Sequence, residues 1–317
     1  MADFRLTGLV AAPFTPFRAD GSLNVEAIEP MAELLISSGV SGAFVCGSTG
    51  EGHSLSIDER QAIAAAWVEA AAGRIPVVVH VGHNSLFDAI TLARHAEGIG
   101  ADAISSLAPS YYKPKTMEDL IAFLAALASS APTLPFYYYH IPSMTGVTLP
   151  APELLKQGRS RIPNLHGIKF THNDCMELQE CLALKGGEFD VVFGHDEMLL
   201  AAMALGTKGA VGCTYNFAAP LYRRLIDAFN RGDMVTARTE QLKSVQLIRT
   251  LFEFGLMRSA KAVMTLIGLD CGPVRSPLDP ITNDETRQLA ERLKGLDIFA
   301  KPLRLPKPKR AQARKKR

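Results

Sequence analysis

The sequence has no apolar run long enough to span a membrane and no secretory leader at its start. Its longest apolar windows, such as "LIAFLAALA" at 120–128, have the length of a core helix and fall well short of a membrane span. The first residues, "MADFRLTG", lack the basic segment and apolar core of a signal peptide. These absences predict a soluble protein of the cytoplasm.

Paired metal and redox motifs are also missing. The five cysteines are odd in number and show no C-x-x-C spacing, and neither H-x-H nor H-E-x-x-H occurs. Free thiols in a reducing compartment are therefore expected, without a disulfide or zinc framework. Four histidines do fall near predicted strand ends, so a catalytic metal stays open as an alternative to a site without metal or organic cofactor. They are His83, His140, His172 and His195.

Acidic residues are absent from the last 17 positions. Residues 301–317 contain nine lysines and arginines, whereas the rest of the chain has 25 basic and 32 acidic residues, a net charge of −7. This composition predicts a basic, disordered tail over 300–317. A basic run does not identify a partner by itself, and nucleic acid is not the expected one.

Eight short, continuously apolar segments alternate with helical ones through the first three-quarters of the chain. Continuous apolar strands are buried on both faces, which indicates a parallel sheet covered by helices. The segments are 8–17, 42–50, 76–83, 102–110, 135–142, 165–172, 190–196 and 209–216.

Eight such units favour a (β/α)₈ TIM barrel over an open doubly wound sheet, which needs fewer strands and usually a dinucleotide fingerprint that is missing here. The barrel is expected over 1–230. After it the strands stop, and three helical segments predict a C-terminal helical extension over 231–299.

One lysine stands out, because reacting groups of such barrels lie at the carboxyl ends of the strands. Lys169 lies inside the apolar run "HGIKFTH". Burial disfavours the charged form of a lysine, and a neutral amine can attack a ketone to form a Schiff base. A lysine whose head group reaches solvent or an ion pair is the alternative.

Two neighbouring motifs suit that chemistry. Tyr139, in "YYYHIP", ends the preceding strand and could move protons at the substrate, while Tyr137 and Tyr138 are expected to pack or to hydrogen bond at the barrel wall. The loop "GSTGEG" at 47–52 offers backbone N–H groups and two hydroxyls to a carboxylate.

Together these motifs resemble the dihydrodipicolinate synthase/N-acetylneuraminate lyase family of class I, Schiff-base aldolases. The similarity runs in order over about residues 5–299 and rests on "GSTGEG", "YYYHIP", "GIKFTHND", "FGHDE" and "GAVGCTYN". It implies that Lys169 forms an imine with the C2 ketone of pyruvate and that Tyr139 transfers protons through a relay of Ser48, Thr49 and Tyr111. Ser48 and Thr49 would bind the pyruvate carboxylate.

The resemblance also implies a homo-oligomer, expected to be a tetramer. Tyr111, in "PSYYKP", matches a tyrosine that the family lends to the active site of the neighbouring subunit. The active site is therefore expected to need at least a dimer.

Met144 decides between the branches of the family. The synthase branch has an arginine at this position to bind a second carboxylate, and an apolar side chain cannot replace a guanidinium. Asp196 and Glu197 resemble the acidic pair with which the lyase branch holds sugar hydroxyls, and Thr171 and Gly194 fit the same substrate site. The resemblance thus implies cleavage of N-acetylneuraminate to pyruvate and N-acetylmannosamine.

Cys213 departs from the lyase pattern, which commonly has a serine here that contacts substrate. A thiol is a weaker hydrogen-bond donor than a hydroxyl. Two alternatives therefore stay open: a related aldolase or dehydratase that acts on another 2-keto-3-deoxy sugar acid, and a catalytically silent barrel that binds a small acid or serves as a scaffold.

Overall fold

A computed structural model describes residues 4–304 of the chain. Most of the predicted basic tail, from residue 305 on, lies outside the described residues. Residues 300–304 of the tail are described, and they hydrogen bond to the folded body. The backbone N–H of Ala300 donates to the Phe217 carbonyl over 2.7 Å, and that of Arg304 donates to the Leu266 carbonyl over 2.6 Å.

The predicted barrel is confirmed. Eight parallel strands follow one another around a closed barrel, and β8 pairs with β1 to complete it. Each strand falls within one of the eight predicted segments. The strands are β1 (Gly8–Ala11), β2 (Gly42–Val45), β3 (Val77–His80), β4 (Ala103–Leu107), β5 (Phe136–His140), β6 (Leu165–Phe170), β7 (Asp190–Phe193) and β8 (Gly209–Gly212).

Helices cover the barrel and continue beyond it. The chain between strands and after β8 forms α1 (Ile28–Ser37), α2 (Ile57–Ala71), α3 (Leu86–Gly98), α4 (Met117–Ala128), α5 (Pro142–Thr145), α6 (Ala151–Gly158), α7 (Cys175–Ala183), α8 (Leu199–Ala204) and α9 (Tyr215–Asn230). The C-terminal extension forms α10 (Met234–Glu253), α11 (Leu256–Leu266) and α12 (Asn283–Leu293). Within residues 4–304, none of these helices is both long and apolar enough to cross a membrane.

Strand alternation separates two apolar cores. A small core inside the barrel contains inward side chains such as Val78, Tyr137 and Tyr139. Tyr138, which lies between the two tyrosines, faces the larger core beneath the helices. Because Lys169 pairs with Tyr139 in the register of β5 and β6, it also points into the barrel.

The amino end of the barrel interior is closed by a buried polar contact. The Tyr137 hydroxyl donates to Asp190 Oδ2 over 2.7 Å, and the backbone N–H of Leu6 donates to the same oxygen over 2.8 Å. Position 167 must be glycine, since a Cβ there would strike the Asp190 carbonyl and the Tyr137 ring. The expectation of a hydrogen-bonded Tyr137 at the barrel wall agrees with this geometry.

We expect Tyr137→Phe to lower the free energy of unfolding by about 2 kcal/mol, because it removes a donor from a buried carboxylate. Urea unfolding followed by circular dichroism measures this change. Tyr138→Phe is the matched control: its hydroxyl forms no hydrogen bond with any residue in 4–304, so its loss should change stability little. Equal effects of the two substitutions would contradict the assignment.

Candidate active site

A cavity of about 360 Å³ opens at the carboxyl ends of the strands. It collects nearly all the residues that the sequence singled out for substrate chemistry: Ser48, Thr49, Tyr139, Lys169, Thr171, Gly194, Asp196, Glu197 and Cys213. Met144 lies at its mouth with 68% of its surface exposed. The barrel rim therefore brings together side chains that are up to 165 positions apart in the chain.

Lys169 lies at the floor of this cavity and is only 4% exposed. Its Nζ is 4.1 Å from the ring centroid of Phe44 and 4.1 Å from that of Tyr139. Both aromatic faces attract a cation and shield the amine from bulk water. The alternative of a lysine that reaches out to solvent is thus excluded by its burial.

Tyr139 links the lysine to the glycine-rich loop. Its hydroxyl is 3.3 Å from Ser48 Oγ, close enough for a hydrogen bond in either direction. Ser48 and Thr49 follow β2 and are half-buried at the edge of the cavity. The amine, the phenol and two hydroxyls therefore surround one small volume.

Thr171 and Gly194 lie side by side on neighbouring strand ends. A Cβ at position 194 would collide with Thr171 Oγ1, so only glycine leaves that hydroxyl in place. Among the described residues, the buried Thr171 Oγ1 has no hydrogen-bond partner. A buried hydroxyl without a partner is costly, and a polar group of a ligand in the cavity could satisfy it.

Asp196 is buried and already partly engaged. Its Oδ2 accepts hydrogen bonds from the backbone N–H and the hydroxyl of Thr214, over 2.8 and 2.6 Å. That hydroxyl also lies 2.6 Å from the hydroxyl of Tyr222. Burial raises the pKa of Asp196 to about 6, although the bonds from Thr214 oppose this change. Oδ2 of Asp196 is thus engaged by hydrogen bonds within the protein, which leaves Oδ1 for a substrate.

Glu197 and Cys213 complete the polar wall. Burial raises the pKa of Glu197, but the interaction with His195, whose Nδ1 is 3.6 Å away, and a hydrogen bond from the backbone N–H of Glu197 together leave the pKa below its usual value. Burial and the nearby Asp196 carboxylate raise the pKa of the Cys213 thiol. The thiol therefore stays protonated at neutral pH, while Glu197 is charged.

Tyr111 is the predicted site residue that the structure does not bring to the cavity. It lies in the segment after β4, where it is 77% exposed, and its backbone N–H donates to Asn84 Oδ1 over 3.2 Å. Its ring contacts that of Tyr112, with the centroids 5.0 Å apart.

Sequence reasoning missed the apolar wall of the cavity. Four side chains of the C-terminal extension line it, on α10 and α11, where the helical pattern alone signalled only core packing: Ile248, Phe252, Leu256 and Met257. Phe44, whose ring lies against Lys169 Nζ, was missed as well. The alternation of β2 could have indicated it, since Ala43 and Val45 face the helices and Phe44 faces the barrel interior.

The four histidines considered as metal ligands do not meet at one point. Only His195 lines the cavity. His140 Nε2 lies 3.7 Å from Glu177 Oε2, on the outer side of the strand. The possible ligand atoms of His172, Asp174 and Glu177 lie within 4.8 Å of one another, but both carboxylates already accept backbone N–H groups. These three residues contribute nothing to the cavity that holds Lys169.

The fold and the site define a class of enzyme. A closed barrel with a buried lysine, an adjacent tyrosine and a hydroxyl-bearing loop at its carboxyl rim is the arrangement of a class I lyase, which works through a lysine Schiff base.

Comparison with known proteins places the chain within that class. It belongs to the dihydrodipicolinate synthetase family, which matches residues 5–296. An N-acetylneuraminate lyase of Mus musculus is 40% identical over 303 residues, 94% of this chain and 95% of the mouse protein. One of Gallus gallus is 43% identical over 279 residues, 86% of this chain and 91% of the chicken protein. The solved N-acetylneuraminate lyase of Proteus mirabilis is 41% identical with a TM-score of 0.91, covering 93% of this chain and 100% of that one.

The raised pKa of Asp196 predicts a pH dependence of stability. The folded protein binds this proton more tightly than the unfolded chain, so the contribution of Asp196 to stability falls as pH rises from about 4 to about 6 and is constant above. Asp196→Asn removes the titrating carboxyl group and with it this loss of stability between about pH 4 and 6. The unfolding free energy of the variant minus that of the wild type should increase over this window by on the order of 3 kcal/mol.

Urea unfolding at a series of pH values measures this difference. Glu197→Gln is the control: because the pKa of Glu197 is lowered, its contribution to stability is already complete above the usual glutamate pKa, so this difference should stay nearly constant from about pH 5 to 6 and change, with the opposite sign, only at lower pH. A difference for Asp196→Asn that stays constant from pH 4 to 6 would contradict the raised pKa.

Proposed function

We propose that the protein cleaves N-acetylneuraminate reversibly to pyruvate and N-acetylmannosamine through a Schiff base on Lys169. The observation that carries this proposal is the buried Lys169 amine, flanked by Tyr139 and, through it, by Ser48 in one cavity. The family and its N-acetylneuraminate lyase relatives support the choice of reaction.

Lys169 supplies the electron sink. Its neutral amine adds to the C2 ketone of the open-chain sugar acid, and loss of water gives an iminium ion. When the C3–C4 bond breaks, its electron pair moves to C3 and is delocalised to the iminium nitrogen as an enamine. Protonation at C3 and hydrolysis then release pyruvate and regenerate the amine.

Tyr139 handles the proton of the C4 hydroxyl, which must leave as C4 becomes the aldehyde carbon of N-acetylmannosamine. Its hydroxyl takes up that proton as it passes its own proton to Ser48 Oγ, and the same relay returns a proton to C3 of the enamine, so that these groups end in their starting states. Ser48 and Thr49, with the backbone N–H groups of their loop, bind the substrate carboxylate and place C2 over the lysine.

The sugar part of the substrate, beyond C4, contacts the remaining polar residues of the cavity. Thr171, whose buried hydroxyl lacks a protein partner among the described residues, hydrogen bonds a sugar hydroxyl. Gly194 makes this contact possible, because a Cβ there would displace the Thr171 hydroxyl. Glu197 and the remaining oxygen of Asp196 hold the polyol tail, and Cys213 contributes a weak donor. Met144, where the synthase branch has arginine, disfavours a second carboxylate.

We assign catalysis to the barrel, residues 1–230, and a supporting part to the extension, residues 231–299. Tyr111 completes the site of a neighbouring subunit in a homotetramer, which its exposure supports. The five unpaired cysteines are compatible with a cytoplasmic role in the degradation of sialic acid.

Borohydride trapping tests the mechanism. Wild-type protein incubated with pyruvate and sodium borohydride should gain a stable adduct that peptide mass spectrometry locates on Lys169, whereas Lys169→Ala should gain none. Wild-type protein should also release pyruvate from N-acetylneuraminate, and Lys169→Ala should not.

The same assays separate the alternatives. Trapping on Lys169 with pyruvate release from 2-keto-3-deoxygluconate but not from N-acetylneuraminate would assign the protein to a related sugar-acid aldolase. A wild-type protein that is not trapped at all would be a silent barrel, and the Schiff-base mechanism would be wrong.

The shared site predicts rescue between two inactive variants. If Tyr111 acts in the neighbouring subunit, a mixed dimer of Tyr111→Phe and Lys169→Ala subunits contains one intact site. Random pairing should then restore about a quarter of wild-type activity to co-expressed variants, since half of the dimers are mixed and each has one working site of two.

Pyruvate release by the purified mixture measures this rescue. Tyr112→Phe, next to Tyr111 and also exposed, is the control and should be active by itself. An inactive mixture would show that Tyr111 works within its own subunit, and a Tyr111→Phe protein that is active by itself would show that Tyr111 takes no part in the reaction.

A further inference from the structure

The side chain of Glu51, in the glycine-rich loop, turns away from the cavity and is buried against the C-terminal extension. Glu51 Oε1 forms an ion pair with Lys261 Nζ on α11 over 2.8 Å, and their side chains are only 3% and 2% exposed. Its Oε2 accepts the backbone N–H of Arg275 over 2.8 Å. The carboxylate is therefore held by two groups more than 200 positions away in the chain.

The partners of Glu51 are themselves fixed. Lys261 Nζ also donates to the Pro273 carbonyl over 2.7 Å and lies 4.2 Å from the ring centroid of Phe17. The Arg275 guanidinium lies 4.2 Å from the same ring centroid and binds both oxygens of Glu59 on α2. Both partners of Glu51 are thus held by further contacts of their own.

The loop needs such an anchor because its backbone is strained. Cys46 and Glu51 adopt left-handed conformations, with φ of 58° and 53°, which residues other than glycine seldom adopt. The N–H of Glu51 donates to the Ser48 carbonyl over 3.1 Å, so the position of Glu51 sets that of Ser48. A shift of Glu51 would therefore move the hydroxyl that faces Tyr139.

We propose that Glu51 is a positioning residue, which ties the carboxylate-binding loop to the C-terminal extension and thereby sets the affinity of the site for the carboxylate of pyruvate. This inference rests on the proposed function, in which Ser48 and Thr49 bind that carboxylate. Lys261 is the counter-charge that makes burial of Glu51 possible. The extension thus acts on substrate binding without contributing a reacting group.

The test compares pyruvate affinity with stability. Glu51→Gln keeps the shape of the side chain but removes its charge, so the loop should loosen while Lys169 stays in place. We expect the pyruvate concentration for half-maximal borohydride trapping to rise about tenfold, as for the loss of one good hydrogen bond to the carboxylate. Trapping at saturating pyruvate should still occur on Lys169.

A double variant separates positioning from stability. Glu51→Gln leaves Lys261 buried without a counter-charge and should destabilise the protein, whereas Glu51→Gln with Lys261→Met removes that charge and should restore much of the urea midpoint. If Glu51 positions the loop, the half-saturating pyruvate concentration of the double variant stays raised. If that concentration returns to the wild-type value together with stability, the role is structural and the inference is wrong.

Glu59→Gln is the matched control. It weakens the ion pair of Arg275 but keeps the side-chain cap at the start of α2. Glu51 stays in place because Lys261 does not contact Glu59 and the Arg275 guanidinium still donates to the Gly21 carbonyl and lies on the Phe17 ring. The pyruvate concentration for half-maximal trapping of Glu59→Gln should match that of the wild type. If wild-type protein is trapped and both Glu51 variants have the wild-type half-saturating pyruvate concentration, the inference about Glu51 is wrong but the proposed function stands. If wild-type protein is never trapped, the proposed function itself is wrong.

Discussion

The pairing of β5 with β6 is the constraint on which the site depends. Its register sets Tyr139 opposite Lys169, and strand alternation points both side chains into the barrel. Because the barrel is closed, these groups are surrounded by inward apolar side chains and Nζ rests against two aromatic rings. A shift of one residue in that register would turn either the phenol or the amine toward the helices.

The same strand serves stability at one end and chemistry at the other. Tyr137, two positions before Tyr139, donates to Asp190 and closes the amino end of the barrel interior. Tyr139 faces the open carboxyl end. One period-2 pattern therefore yields a structural tyrosine and a candidate catalytic one, which matches the general division of such barrels between a stabilising and a reactive face.

The C-terminal extension is more than an appendage. Its helices α10 and α11 supply an apolar wall opposite the polar residues of the strand ends. Through Lys261 and the backbone of Arg275, it also holds Glu51 behind the loop that carries Ser48. The cavity thus has polar groups at the strand ends and apolar cover on the side of the extension.

The sequence by itself determined the barrel, because continuous apolar strands alternating with helices are buried on both faces, and eight such units favour a closed barrel over an open doubly wound sheet. It also indicated Lys169 and Tyr139, since a lysine and a phenol at buried strand ends are chemically unusual. Only the tertiary structure decided that Asp196 is bound by Thr214, that Glu51 is paired with Lys261, and that the extension lines the cavity. These contacts join distant segments, and local periodicity carries no information about which distant side chains meet.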